Sequence, residues 1–331
     1  MTITPDQLLR AERISPNPIV AADSVPGYGP VFNAGLLHHD DRYHLFARAV
    51  RSGYRRNHGE GPRFLDYFSD ILVFSSPDGE RYEFDYVLIR ATGATMAYED
   101  PRVQWVHSDG VHQLVMTYTR LPEPASGDPW RIGAHRLTYD DGRFVLDESS
   151  ATLLGPPGIA NKDAVLFNLA DGRVAMIHRI HPDVQIARFD SLAALWSSDA
   201  DFWPDSLAVL DDHVIIPPSA AALGVGAGAP PFETPHGLVL VFHEREVSGR
   251  YTAKVAVLDP NDGRVRTIFD EPILVPELEW ERVGDVDDVV FVQGAHLRND
   301  GTVYLTYGAA DRCVGAATLN LASLLGGVTT P

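Results

Sequence analysis

Five times along the chain a small polar cluster opens an apolar run, a turn follows, and a second run rich in aromatic residues ends on a polar side chain. The copies are "VFNAGLLHHDDRYHLFARAV" from Val31, "YEDPRVQWVHSDGVHQLVMTYTR" from Tyr98, "NKDAVLFNLADGRVAMIHRI" from Asn161, "FETPHGLVLVFHE" from Phe232, and "DVDDVVFVQGAHLRNDGTVYLTYGAAD" from Asp285. With Asn33, Asp100, Asp163, Glu233 and Asp288 as marks, the steps are 67, 63, 70 and 55 residues. A third run follows each pair, as in "DILVFSSPDG" and "CVGAATLNL". Short β-branched and aromatic runs between Asp-Gly and Asn-Asp turns read as antiparallel strands. Small sheets repeated at such a period read as propeller blades. The expected fold is all-β, a five-bladed β-propeller, with residues 1–331 as a single domain after a short N-terminal extension of residues 1–16. Helical periodicity is confined to "TPDQLLRAER" near the start and "DSLAALWSS" at 190–198. The competing layout joins two β-sandwiches through the Ala/Gly/Pro stretch at 217–231, but the repeat runs through that stretch, which is expected to form a long loop at a pocket rim.

Charge narrows the partners. The 27 basic and 45 acidic residues give −18, which repels nucleic acid and anionic membrane. An anionic ligand then requires arginines and lysines gathered locally. The lone cysteine, Cys313, excludes an internal disulfide framework and reads as a small core residue. No long apolar stretch marks a signal or a membrane span, so a cytoplasmic protein is expected.

In a propeller the innermost strands begin at one end of the central channel, so the marks should meet in one pocket. They bring Asn33, Glu99, Asp100, Arg102, Lys162, Asp163, Glu233, His236, Asp287 and Asp288, while the second strands end on Arg48, Arg120, Arg179, His243 and Asp311. Carboxylates can fork sugar hydroxyls or protonate a leaving oxygen, and the cations beside them suit an anion. On the residues alone, Lys162 and Asp163 could simply pair with each other, and His243 could be a core histidine. Histidines 178, 181, 236 and 243 lack metal-site spacing, and no metal is expected.

Taken together, "NPIV", "VFNAG", "EDPRV", "NKDAVLF", "HRIHP", "PPFET", "PELEWERVGDVDDVVF" and "YGAAD" resemble the motifs of glycoside hydrolase family 130, in order, from about Asn17 to Leu325. The resemblance implies an inverting phosphorylase that cleaves β-mannosides with inorganic phosphate to give mannose 1-phosphate, needing no cofactor beyond phosphate as co-substrate. It casts Asp100 as general acid, working through a hydroxyl of the mannosyl ring. It also implies that Asn33, Arg48 and Asp311 hold the mannosyl unit, and that Lys162, Arg179, His243 and Tyr251 bind phosphate. Glu99, Arg102, Asp163 and Glu233 are taken as further substrate-binding residues. Departures from the family pattern are Gly224 where many phosphorylases carry a lysine, Lys162 where some carry arginine, Ile180 for a proline and Asp288 for an asparagine. Some branches of the family are hydrolases, so an inverting β-mannoside hydrolase is the alternative; Glu233, Asp163 or Asp288 would then have to activate water. The expected partners are a β-manno-oligosaccharide and phosphate, with no nucleic acid or membrane, and self-association is left open.

Overall fold

The computed structural model describes residues 9–325, and they are nearly all β. The strands form five antiparallel groups of four. The first comprises Tyr28–His39, Arg42–Arg51, Ser69–Ser76 and Glu83–Ile89, and the second Thr95–Ser108, Val111–Pro122, Arg131–Asp140 and Arg143–Leu153. A single parallel bridge, Ser69 to Ala97, merges these two into one eight-stranded sheet. The third has Lys162–Asn168, Val174–Ile180, Asp183–Phe189 and Val214–Ile216; the fourth has Ala222–Ala227, Gly237–Glu246, Tyr251–Leu258 and Val265–Leu274, with Phe232–Thr234 as a short extra strand. The fifth combines Val290–Leu297, Thr302–Ala309 and Cys313–Asn320 with Glu12–Arg13 from the other end of the chain.

The near-continuous apolar runs have a packing reason. Strand side chains alternate between faces, and here both faces are covered. Leu45, Ala47 and Ala49 pack toward the fifth group while Phe46 packs toward the second. Val165 and Phe167 pack toward the fourth while Ala164 and Leu166 pack toward the second. Five apolar clusters result, each between successive groups, and one of them links the fifth back to the first. Cys313 is buried in the cluster between the fourth and fifth groups. At the seam where the two ends of the chain meet, Arg13 donates through Nε to Glu281 Oε1 at 2.6 Å, and Tyr307 donates to the same oxygen at 2.9 Å.

Turn chemistry follows the sequence closely. The hairpins at Asp40-Asp41, Asp109-Gly110 and Asp141-Gly142 have both central residues at positive φ, as two-residue turns of the primed type require. Three of the sequence marks are bulges: Asn33, Asp100 and Asp163 have φ of 46°, 51° and 57°, and the pairing register slips by one residue at each. Asn and Asp tolerate this left-handed backbone better than other side chains, and a bulge re-aims the residue it carries.

Two expectations change and one holds. The first part of "TPDQLLRAER" lies outside the described residues, and its end is the strand Glu12–Arg13 rather than helix. The second helical candidate is present as Leu192–Trp196 and Ser198–Ala208, which buries Trp203 against Leu154. The stretch 217–231 is not a loop throughout, since Ala222–Ala227 is the first strand of the fourth group. Its small residues reflect crowding: a Cβ on Gly226 would stand 2.4 Å from Asp163 Oδ2 and 2.5 Å from His243 Nε2. No described helix is long and apolar enough to cross a membrane.

Candidate active site

Residues from all five groups meet around one cavity of about 420 Å³. Its lining includes Asn33, Arg48, Glu99, Asp100, Lys162, Arg179, His243, Tyr251 and Asp311, nine positions that span nearly the whole chain. The cavity has two walls of opposite character.

Arg48 organises the first wall. Its guanidinium stacks over the Phe32 ring at 4.8 Å, donates to Tyr67 at 2.8 Å and to Asp100 Oδ1 at 3.3 Å, and pairs with Glu99. Asn33 Nδ2 donates to the same Asp100 oxygen at 2.8 Å. Both donors therefore fall on Oδ1, and the described residues offer Oδ2 no hydrogen bond. Gln293, fully buried, holds the two bulges together by donating to Asn33 O at 3.0 Å and Pro101 O at 2.6 Å. The "YG" of "YGAAD" is needed here as well, because a Cβ on Gly308 would stand 1.8 Å from Asn33 Oδ1. Three carboxylates share one arginine, and the electrostatics show it. Burial pushes the Asp311 carboxyl up to about 7, with Asp100 and Glu99 adding to the rise against the pull of Arg48. Burial likewise raises Glu99.

Asp163 organises the second wall from behind. It is 1% exposed, with Arg102 Nη2 at 3.4 Å, Arg179 Nε at 3.1 Å and His243 Nε2 at 3.7 Å. Burial opposes its charge, yet Arg179, Lys162, His243 and Arg102 hold its carboxyl well below the usual carboxylate range. Burial pushes His243 down to about 3, outweighing the attraction of Asp163, so its imidazole is neutral at pH 7. Lys162 has no carboxylate within ion-pair distance among the described residues. This wall presents cations and hydrogen-bond donors to the cavity, and its one carboxylate is sealed beneath them.

Three residues assigned to substrate contact lie elsewhere. Arg102 is 1% exposed and spends its donors on Asp100 O, Ala227 O and Gly228 O besides Asp163, so it joins the walls rather than lining either. Asp163 is covered by the cations it anchors. Glu233 is exposed and pairs with Leu238, five residues from His243 along the same strand, or about 17 Å at strand rise. The fourth repeat opens on Ala222–Ala227, which lacks a polar mark, and Glu233, on the short strand Phe232–Thr234, lies beside the far end of the strand that carries His243. Asp288 is exposed, with φ of 57°, and its carbonyl accepts from Tyr251 N at 2.9 Å.

Sequence reasoning missed Tyr67, Arg63 and Arg245. Arg63 reaches the cavity from the ribbon of Arg55–Arg56 and Phe64–Leu65, which Tyr54 and Arg56 fasten to Asp285. Arg245 had a legible signal, because it stands two residues beyond His243 and so shares its face of the strand. It also lies directly across the strand pair from Gly224, the position where a lysine was expected. Among the described residues no group of three His, Cys, Asp or Glu is placed to hold a metal ion.

A family model described as beta-1,4-mannooligosaccharide phosphorylase matches residues 3–329. The chain is similar to a 1,2-beta-oligomannan phosphorylase of Thermoanaerobacter sp. strain X514, 29% identical over 322 residues that cover 95% of this chain and 98% of the relative. It is also similar to a beta-1,2-mannobiose phosphorylase of that strain, 28% identical over 326 residues, covering 94% and 98%. Among solved structures it resembles the beta-1,2-mannobiose phosphorylase from Listeria innocua in complex with beta-1,2-mannobiose, with a TM-score of 0.76, 20% identity, and coverage of 96% of this chain and 98% of that one.

Proposed function

Because the chain belongs to glycoside hydrolase family 130, we propose that it is an inverting phosphorylase that cleaves β-mannosides with inorganic phosphate and releases mannose 1-phosphate. The five strand groups act as the blades of one propeller domain, a reading supported by the cluster that links the fifth group to the first. The mannosyl unit occupies the Arg48 wall, where Asn33, Arg48, Glu99 and Asp311 meet its hydroxyls. Phosphate occupies the opposite wall, between Lys162, Arg179, His243 and Tyr251.

The observation that carries this reading is the chemistry of the second wall. Inversion needs an acid on one face of the sugar and a nucleophile on the other. Water would need a base there, but the carboxylate of that wall, Asp163, is buried and held by two arginines. Phosphate needs only cations. In the displacement a phosphate oxygen forms a bond to C1 as the bond from C1 to the leaving oxygen breaks. Asp100 gives its proton to a hydroxyl of the mannosyl ring, whose own proton passes to this oxygen, and Oδ2, to which no described residue donates, is the carboxyl oxygen that carries it. The two characterised relatives named above are both enzymes of 1,2-linked mannosides, which makes a β-1,2-linked manno-oligosaccharide the first substrate to try.

The test is incubation with β-1,2- and β-1,4-manno-oligosaccharides, with and without phosphate. Mannose 1-phosphate formed only with phosphate is the expected product. Free mannose at the same rate in both arms would mean hydrolysis and would remove the proposal.

A further inference from the structure

A second cavity of about 220 Å³ adjoins the cation wall. It shares Lys162, Arg179, Arg245 and Tyr251 with the main cavity, and its other walls are Trp130, Ala160, His181, Leu223 and Gly224. The same four side chains thus line two adjoining spaces, one also lined by carboxylates and one by none. Gly224 helps to make the second space, because even a Cβ there would come within 3.1 Å of the His181 ring. Arg245 stands across from it in the strand pair, exposed, over the Tyr251 ring at 5.8 Å and with no carboxylate in ion-pair distance among the described residues. Because the smaller cavity has its own lining of Trp130, Ala160, His181, Leu223 and Gly224, a sugar held on the Arg48 wall would leave it unfilled.

We propose that the smaller cavity is a phosphate port and that Arg245 is its capturing cation, drawing inorganic phosphate from solvent and passing it forward to Lys162, Arg179, His243 and Tyr251. This rests on the phosphorylase reading and adds the route by which the anion arrives. In a chain of net charge −18, phosphate is repelled over most of the surface, and an unpaired guanidinium at a cavity free of carboxylates gives it a local path inward. Phosphate then exchanges while the mannoside stays bound.

The experiment is steady-state kinetics with inorganic phosphate and a manno-oligosaccharide varied independently. Arg245→Gln should raise the KM for phosphate about tenfold, as loss of a charge-assisted hydrogen bond implies. The KM for the mannoside should stay within about twofold, and Arg245→Lys should recover part of the loss. Gly224→Leu, with Arg245 intact, plugs the port; high mannoside should then inhibit competitively against phosphate, because both must enter by one mouth. If Gly224→Leu fails to fold, Arg245→Gln decides alone. A wild-type enzyme that depends on phosphate while Arg245→Gln leaves its phosphate KM unmoved would overturn the port and spare the phosphorylase. A wild-type enzyme indifferent to phosphate would overturn both.

Discussion

On the Arg48 wall three carboxylates share one arginine, whereas on the Asp163 wall one carboxylate is shared among two arginines, a lysine and a histidine. Burial acts on both walls, yet their protons are distributed in opposite ways. Surplus acid under burial keeps a proton at the first wall, seen in the rise of Asp311 to about 7. Surplus cation keeps Asp163 ionised at the second, where burial above all keeps His243 neutral. The comparison teaches that burial always favours the neutral form and that only a surplus of opposite charge overturns it. The balance of partners decides whether that penalty prevails, and here one wall retains a proton while the other holds its carboxylate ionised.

The largest effect expected from breaking this arrangement is on the first wall. Asp100→Asn should cost about a thousandfold in turnover, while calorimetry with a manno-oligosaccharide shows binding retained, since Asn33 and Arg48 keep their other contacts. Unchanged turnover would remove the acid from that wall. Next comes the joint between the walls. Arg102→Met leaves Asp163 short of a partner and strips donors from three carbonyls, so chemical denaturation should show a loss of about 3 kcal/mol; a loss below about 1 kcal/mol would mean that the second wall does not depend on its buried frame. The smallest effect is a matter of pH. A carboxyl raised in the folded protein binds its proton more tightly there than in the unfolded chain. Its contribution to stability is complete below about pH 4 and disappears as pH rises through about 7. Asp311→Asn should therefore narrow the gap in Tm between pH 5 and pH 8 by about 3 °C. A gap that stays the same would place the retained proton on another group, with Glu99 the first to examine.

Much of this was legible because the bulged marks have a chemical signature. Asn33, Asp100 and Asp163 are Asn or Asp at left-handed backbone, placed before apolar runs, and the same residue types that tolerate the bulge also serve the site. The fourth repeat was misread for the converse reason. Its first strand, ALGVGA, carries glycine at 226 because it passes there against Asp163 and His243, so crowding erased the polar mark and moved the apparent repeat to Glu233. Nor could spacing tell Asp163 from Asp100. Both precede strands beside a basic residue, and only the packing of Arg102, Arg179 and His243 shows that one faces the cavity while the other supports it. Arg245 was reachable by strand alternation from His243, but its meaning depends on the register with Gly224, which is a property of the folded sheet.

The fifth group borrows its outermost strand, Glu12–Arg13, from the opposite end of the polypeptide. During synthesis this segment leaves the ribosome early and must wait until Cys313–Asn320 has emerged before it finds its partner. Asp311 is made just before that moment, so the last carboxylate of the Arg48 wall and the fourth strand of the fifth group come into place almost together. A nascent chain stalled short of that point would have neither.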